Sequence, residues 1–409
     1  MGGQDGWDGR DGRVRQATPP ASHPAPPAPP ARAIHRFAQF VAACTVLLIL
    51  AGSLVTSHDA GLSVPDWPTT YGWNMFTFPP SMWVANIFYE HGHRLVASSV
   101  GFLTIVLAVW LWLAEPRRWL RWLGAAALGT VVAQGVLGGL TVLLFLPPAI
   151  SIAHAALAEI FFCLTVAIAV FTSPARVGAG DTQQTPVRGS DDTLRRFATA
   201  TTALIYAQIV VGAAMRHTGA GLAIPDFPLM FGRLVPDHWS GAIAVHFAHR
   251  IGAAIVSVSA AATIAAVWSE GERRRDLTRP AAVLGCLVLV QVTLGALTIL
   301  TRRNPLINSL HVVCGALVLA TSLVITLRVR LTASAKSTAV KKPDPLDAVA
   351  YQPSRRVRLQ PDPYRLQPDP DRLQPDVYAA GVGLRPSLKL WPTAVASGEG
   401  GQPDHKSRA

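Results

Sequence analysis

Charge is scarce in this chain. Of its 409 residues 15% are Asp, Glu, Lys or Arg, whereas 50% are hydrophobic, and the apolar residues gather in runs. Cysteine is rarer still: Cys44, Cys163, Cys286 and Cys314 all fall inside such runs, none in a loop where oxidation would favour a disulfide. They read as small apolar packing residues. The first 31 residues lack any apolar stretch, which argues against a cleavable signal peptide. Neither they, rich in Gly, Asp, Pro and Ala, nor residues 331–409, rich in Pro, Asp, Arg and Lys, show an apolar period, so both tails read as disordered. The later tail repeats Arg358-Leu-Gln-Pro-Asp-Pro-Tyr with a period of seven at Arg365 and Arg372. Its prolines exclude a helical heptad, and no chemistry is legible in it.

What the chain does have is eight apolar runs of about 20 residues, the length that crosses a bilayer core of about 30 Å. They are Phe37–Ser57, Gly92–Leu113, Leu120–Phe145, Ile152–Thr172, Phe197–Met215, Ala244–Trp268, Ala281–Leu300 and Ile307–Val329. They predict an all-α integral membrane protein with eight transmembrane helices, since a helix satisfies its own backbone groups in lipid. The net charge of +12 sits in alternate loops: Arg32 and Arg36, then Arg117, Arg118 and Arg121, then Arg176, Arg188, Arg195 and Arg196. It recurs at Arg273, Arg274, Arg275 and Arg279, and at Arg328, Arg330, Lys341 and Lys342, whereas Ser57–Tyr89 has no Lys or Arg. That asymmetry predicts a multi-pass protein of the cell inner membrane, surrounded by lipid, with both termini cytoplasmic. It also argues against nucleic acid as a partner. Arg216, Arg233, Arg302 and Arg303 fall on the outer side and are candidate anion partners.

The membrane part repeats itself. Gly61-Leu-Ser-Val-Pro-Asp-Trp-Pro returns as Gly221-Leu-Ala-Ile-Pro-Asp-Phe-Pro, 160 positions later, and His93-Arg94-Leu-Val-Ala as His249-Arg250-Ile-Gly-Ala, 156 later. Gln134-Gly-Val-Leu-Gly-Gly-Leu-Thr returns as Gln291-Val-Thr-Leu-Gly-Ala-Leu-Thr, and His154 as His311, both 157 later. Four landmarks in one order at nearly one offset predict two pseudo-symmetric four-helix bundles, related about an axis along the membrane normal. The expected divisions are a tail (1–34), a first bundle (35–175), a linker (176–194), a second bundle (195–330) and a tail (331–409).

Six of the twelve histidines (His91, His93, His154, His246, His249 and His311) lie in or at the ends of the runs. Polar groups at membrane depth are costly and mark sites. Two of them are doubled by the repeat: His93 with His249, at the start of the second helix of each unit, and His154 with His311, near the start of the fourth. Those helices run in the same direction, so each pair lies at similar depth and could supply both axial ligands of one haem. The plainer reading is a set of helix-bridging hydrogen bonds. Zinc or non-haem iron is a further alternative, but His91 and His93 point to different helix faces and no second carboxylate joins them. The copies differ at one slot: Glu90 stands three before His93, and His246 three before His249. Glu90 therefore shares a face with His93, where a carboxylate could accept protons or stabilise a cationic intermediate. It could also serve only as an acid at a helix N-terminus. His246 reads as a hydrogen-bond partner of the second site or as an interfacial residue. Arg94 and Arg250 are candidate partners for haem propionates or residues that snorkel to the interface. Arg216, Arg302 and Arg303 extend the propionate reading. Asp66 and Asp226 would help the proline-stiffened loops cap the sites, or cap short loop helices. His58 and His217 do not align in the repeat and read as structural.

The run Thr56-Ser-His-Asp-Ala-Gly-Leu-Ser-Val-Pro-Asp-Trp-Pro, with Glu90-His-Gly-His-Arg, His154, His249-Arg250 and His311, resembles the haem A synthase family across roughly residues 35–330. The resemblance implies an oxidoreductase that converts a porphyrin methyl group of haem O to a formyl group, giving haem A for terminal oxidases. It implies that His93 and His154 flank the substrate haem O, that His249 and His311 ligate a haem b cofactor, and that Glu90 is the catalytic acid. Haem O synthase and terminal oxidase assembly factors would be partners, and a quinone is a candidate electron acceptor. Many bacterial members carry a cysteine pair in the first outer loop; Ser57–Tyr89 has none, so that loop alone must cover the site. The rival readings are a bis-histidine membrane cytochrome that relays electrons without modifying haem, and a transporter built on a parallel repeat.

Overall fold

A computed structural model describes residues 29–174 and 190–339; most of the expected tails and linker lies outside them. The described chain is all-helical apart from two isolated bridges. Eight long helices follow in order: α1 (Pro29–Ser57), α2 (Asn86–Ala114), α3 (Arg118–Leu143), α4 (Pro148–Phe171), α5 (Ser190–His217), α6 (Gly241–Ser269), α7 (Arg275–Leu300) and α8 (Pro305–Ala339). Each is long and apolar enough to cross a membrane. Large side chains such as Phe102, Val258 and Leu289 point outward, as lipid-facing helix surfaces require.

The boundaries fall where local chemistry starts and stops a helix. Proline at the first position begins α4 and α8, where no hydrogen bond is lost. Ser240 caps α6, its hydroxyl accepting from the Ile243 amide at 3.2 Å. Helix α2 begins at Asn86, six residues before the apolar run at Gly92, so Glu90 and His91 are helical. Hydropathy missed that turn because Glu90 and His91 separate Ile87 and Phe88 from the long apolar run. Likewise α5 already includes Ser190 to Leu194.

Helices α1 and α3 each pack on α2 and α4, and α5 and α7 each pack on α6 and α8; this fits two four-helix bundles. Ile34, Val41, Val100, Leu107, Leu120 and Phe161 fill the first set, and Leu194, Ile205, Val256, Leu277, Leu284 and Leu319 the second. Helix α1 meets α8, and α4 meets both α5 and α8, around Phe162, Val166 and Ala316. Hydroxyls tie the second set together. Thr201 Oγ1 lies 2.6 Å from Ser259 Oγ and 2.8 Å from Thr263 Oγ1, and Thr202 Oγ1 is 2.8 Å from both Ser322 and Thr326. In the first set the buried Thr45, Thr104 and Thr165 donate instead to carbonyls of their own helices.

Candidate functional sites

The four repeated histidines each lie against a glycine of the neighbouring helix. A Cβ on Gly52 of α1 would come within 3.0 Å of His93 Cε1, and one on Gly212 of α5 within 3.0 Å of His249 Cε1. A Cβ on Gly138 of α3 would approach His154 to 3.3 Å, and one on Gly295 of α7 would approach His311 to 3.1 Å. Any side chain there would push an imidazole out of place, so the glycines fix where the rings stand. Gly138 and Gly295 belong to a repeated motif, but Gly52 and Gly212 carried no signal beyond their shared spacing.

The second pair faces across a gap suited to one metal. The rings of His249 and His311 are 6.5 Å apart at their centroids and inclined by 72°. Two metal–nitrogen bonds of about 2 Å each, with the reach from each ring centre to its nitrogen, span such a gap. Both rings are braced. Gln208 Nε2 lies 2.9 Å from His249 Nδ1 and donates to the His249 carbonyl at 2.7 Å. The Gln291 carbonyl is 3.2 Å from His311 Nδ1, and the Gln291 side-chain Nε2 is 3.5 Å from His311 Nε2, a long contact that a metal on that nitrogen would replace. The first pair, His93 and His154, is near enough to interact electrostatically. Its Nδ1 atoms are buried without partners, and Gln134 touches only the His154 carbonyl, at 2.8 Å. Donor set and glycine cradles fit a bis-histidine haem. No cluster of three or more His, Cys, Asp or Glu suited to a bare metal ion occurs among the described residues.

The slot three before His93 and His249 is used in both copies to hold the loop. Glu90 is 3% exposed; its Oε2 accepts from the Val64 amide at 2.7 Å and its Oε1 from Arg94 at 2.7 Å. In the second copy the Ile224 amide, which matches Val64, donates to His246 Nδ1 at 3.3 Å. The two arginines also serve the loops. Arg94 donates to the carbonyls of Val64, Asp66 and Thr69 at 2.8, 2.7 and 2.9 Å. Arg250 donates to those of Ile224, Asp226 and Leu229 at 3.1, 2.7 and 2.9 Å. A direct propionate contact would require each to give up some of these bonds. Arg216 donates to Ser53 O and Ser57 Oγ, at 2.7 and 2.8 Å, joining α5 to α1.

Within each loop the aspartate closes a turn. Asp66 accepts from the amides of Tyr71 and Gly72, at 2.7 and 2.9 Å, and from the Thr69 hydroxyl. Asp226 accepts from the amides of Phe231 and Gly232, at 2.8 and 2.9 Å. Both turns have two successive residues at positive φ, Tyr71–Gly72 and Phe231–Gly232, the type I′ pattern. Burial alone would raise the Asp66 carboxyl, but the bonds from Gly72, Thr69 and Tyr71 outweigh it and hold it below the usual range. The Gly232 and Phe231 amides do the same for Asp226. His91 is fully buried beside Phe78 and Trp83, with Nδ1 3.2 Å from the Thr70 hydroxyl. His58 stacks on Tyr89.

The profile of a family described as cytochrome oxidase assembly protein matches residues 35–323. A protein named heme A synthase from Symbiobacterium thermophilum is 31% identical over 276 residues, which cover 66% of this chain and 86% of that protein. Heme A synthase from Halalkalibacterium halodurans is 26% identical over 299 residues, covering 71% and 95%. Heme A synthase from Caulobacter vibrioides is 26% identical over 337 residues, covering 71% and 94%.

Proposed function

This chain belongs to the cytochrome oxidase assembly family that includes the heme A synthases, and from that premise we propose that it oxidises a porphyrin methyl group of haem O to the formyl group of haem A. The observation that carries the assignment of halves is the single slot filled by Glu90 in one copy and His246 in the other. Residues 35–175 then form the substrate half, with His93 and His154 on either side of haem O, and residues 195–330 the half that holds haem b on His249 and His311. Haem b, when bound, supplies a one-electron carrier.

The substrate reacts in steps. Each hydroxylation takes its oxygen from water and releases two electrons and two protons; two such steps give a gem-diol, which loses water to leave the aldehyde. Positive charge develops on the methyl carbon as electrons depart. Glu90, held by Arg94 and the Val64 amide, serves as a fixed counter-charge beside that carbon and as the acceptor for a proton of the attacking water. Arg94 and Arg250 lock the loops over the two haems, which keeps bulk water from the reacting carbon. The electrons leave to an acceptor for which a quinone is the candidate. Haem O synthase and terminal oxidase assembly factors would deliver substrate and receive product at the cell inner membrane, with both termini cytoplasmic.

The test is a haem extract and chromatogram of the purified protein co-expressed with a supply of haem O. Haem A or its hydroxylated intermediate is expected, and should be lost in Glu90→Ala and His93→Ala. Two haem b per chain, whatever the supply, would instead make the protein an electron-relay cytochrome.

A further inference from the structure

Glu159 is an acid that the reaction above does not use. It is the twelfth of the 24 residues of α4, the midpoint of a helix long enough to span the membrane. Its residue is 5% exposed, and its Oε2 is buried without a hydrogen-bond partner. An ionisable side chain at such depth is expensive and is retained for a reason.

Its surroundings tie it to both sites. Glu159 lies where α4 meets α5, within electrostatic reach of Cys163, one turn along its own helix, and of Tyr206 on α5. The Tyr206 hydroxyl donates to the Ala156 carbonyl of α4 at 3.3 Å. Five residues before Glu159, about 7.5 Å of helix rise, stands His154 of the first site. Two residues after Tyr206 stands Gln208, which holds His249 of the second. Charged residues on the helices packed against α4 stand near the ends of the membrane spans: Arg32 and Arg36 of α1, Arg118 and Arg121 of α3, Asp192, Arg195, Arg196 and Arg216 of α5, Arg328 and Arg330 of α8. The start of α1 is set against the end of α4, since His35 Nδ1 lies 2.9 Å from the Ala169 carbonyl. The repeat places Ala316 at the matching position, buried in the apolar cluster with Phe162 and Val166. The acid thus belongs to one copy, on the face that copy turns toward the other.

We propose that Glu159 is an internal proton acceptor that balances charge as electrons pass between the two haem sites. The proposal rests on the haem reading of those sites. With haem held on His249 and His311, each electron delivered from the substrate methyl group would remove one positive charge from a medium of low dielectric. The Glu159 carboxylate binds one proton in compensation and releases it when the electron leaves for the acceptor. Tyr206 and Cys163 line its place without neutralising it.

The experiment is a redox titration of the haem-loaded protein in lipid nanodiscs at a series of pH values, paired with redox-difference infrared spectroscopy. In the native chain the midpoint potential of the resident haem should fall as pH rises, and reduction should produce the carbonyl stretch of a protonated carboxylic acid. Glu159→Gln should keep the haem content and visible spectrum while losing both the pH slope and the carboxylic signal. A native protein with no such signal, or a Gln variant with an unchanged slope and signal, would overturn the role of Glu159 and leave the haem sites standing. If the Gln variant fails to assemble, the infrared difference of the native chain decides alone. A chain that takes up no haem would overturn the proposed function, and this inference with it.

Discussion

In the second half of the molecule Gln208 and the Gln291 carbonyl brace the two histidines, and hydroxyl pairs fasten α5 to α6 and α8. In the first half the Nδ1 atoms of His93 and His154 are orphaned, and the buried threonines bond to their own helices. By the offset of 160, Leu48 stands where Gln208 stands in the second copy. A braced imidazole is a better ligand for something that stays, and an unbraced one suits something that must come and go. Under the proposed function, that difference matches a resident haem in the second half and a passing one in the first.

Removing a ligand is the strongest way to break this comparison. His249→Ala or His311→Ala should abolish the bis-histidine absorbance of the resident haem. His93→Ala should leave that absorbance and abolish conversion of haem O. Loss of the resident haem in His93→Ala would show that the two sites are not independent. Next in size is the differing slot. Glu90→Ala, assayed by haem chromatography, should slow conversion about a hundredfold or more with resident haem unchanged. His246→Ala should leave conversion within a few-fold of the native rate. Equal losses in the two variants would mean that the slot serves only to hold the loops.

Much of this was legible in the sequence, and the exceptions have physical causes. The spans and the repeat follow from hydropathy and from doubled motifs, and doubling also singled out His93, His154, His249 and His311. The apolar run starts only at Gly92 because Glu90 and His91 interrupt it, whereas the helix that carries Glu90 begins at Asn86. Gly52 and Gly212 were invisible because a glycine in a membrane helix has many uses, and only a ring at 3.0 Å shows which one applies. Gln208 was missed because the first copy holds Leu48 in its place. The arginines were read toward propionates, and their carbonyl bonds depend on how the loops fold back, which spacing does not encode.

A milder substitution sharpens the contrast in bracing. Gln208→Leu copies the first half into the second, and should weaken the hold on the resident haem by about tenfold or more, the usual cost of losing a partner behind a metal ligand. Transfer of haem to an apo-globin acceptor would report it as faster release. Leu48→Gln is the reverse change and should slow release of product from the first site. An unchanged release rate in Gln208→Leu would leave the hydroxyl ties between helices as the source of the difference.

The smallest effect is expected where the halves agree. Asp66 and Asp226 close the same turn with the same amide bonds, and both carboxyls are held below their usual range. A carboxyl whose folded-state pKa lies below its unfolded value, about 3.9, stabilises its turn fully above that value and stops doing so as pH falls through the folded one. Hydrogen exchange at Tyr71, Gly72, Phe231 and Gly232 should therefore show steady protection from neutral pH down to about pH 4, after correction for the intrinsic exchange rate. Protection should fall below that in both loops together. Asp66→Asn should loosen the first turn alone at neutral pH, by a few-fold in exchange rate, because the amide group keeps one acceptor oxygen where the carboxylate has two. If acid loosened one loop and spared the other, the loops would share in the asymmetry of the sites. If both yield in the same window, the difference between the halves lies in the helices beneath, at Glu90, His246, Gln208 and Leu48.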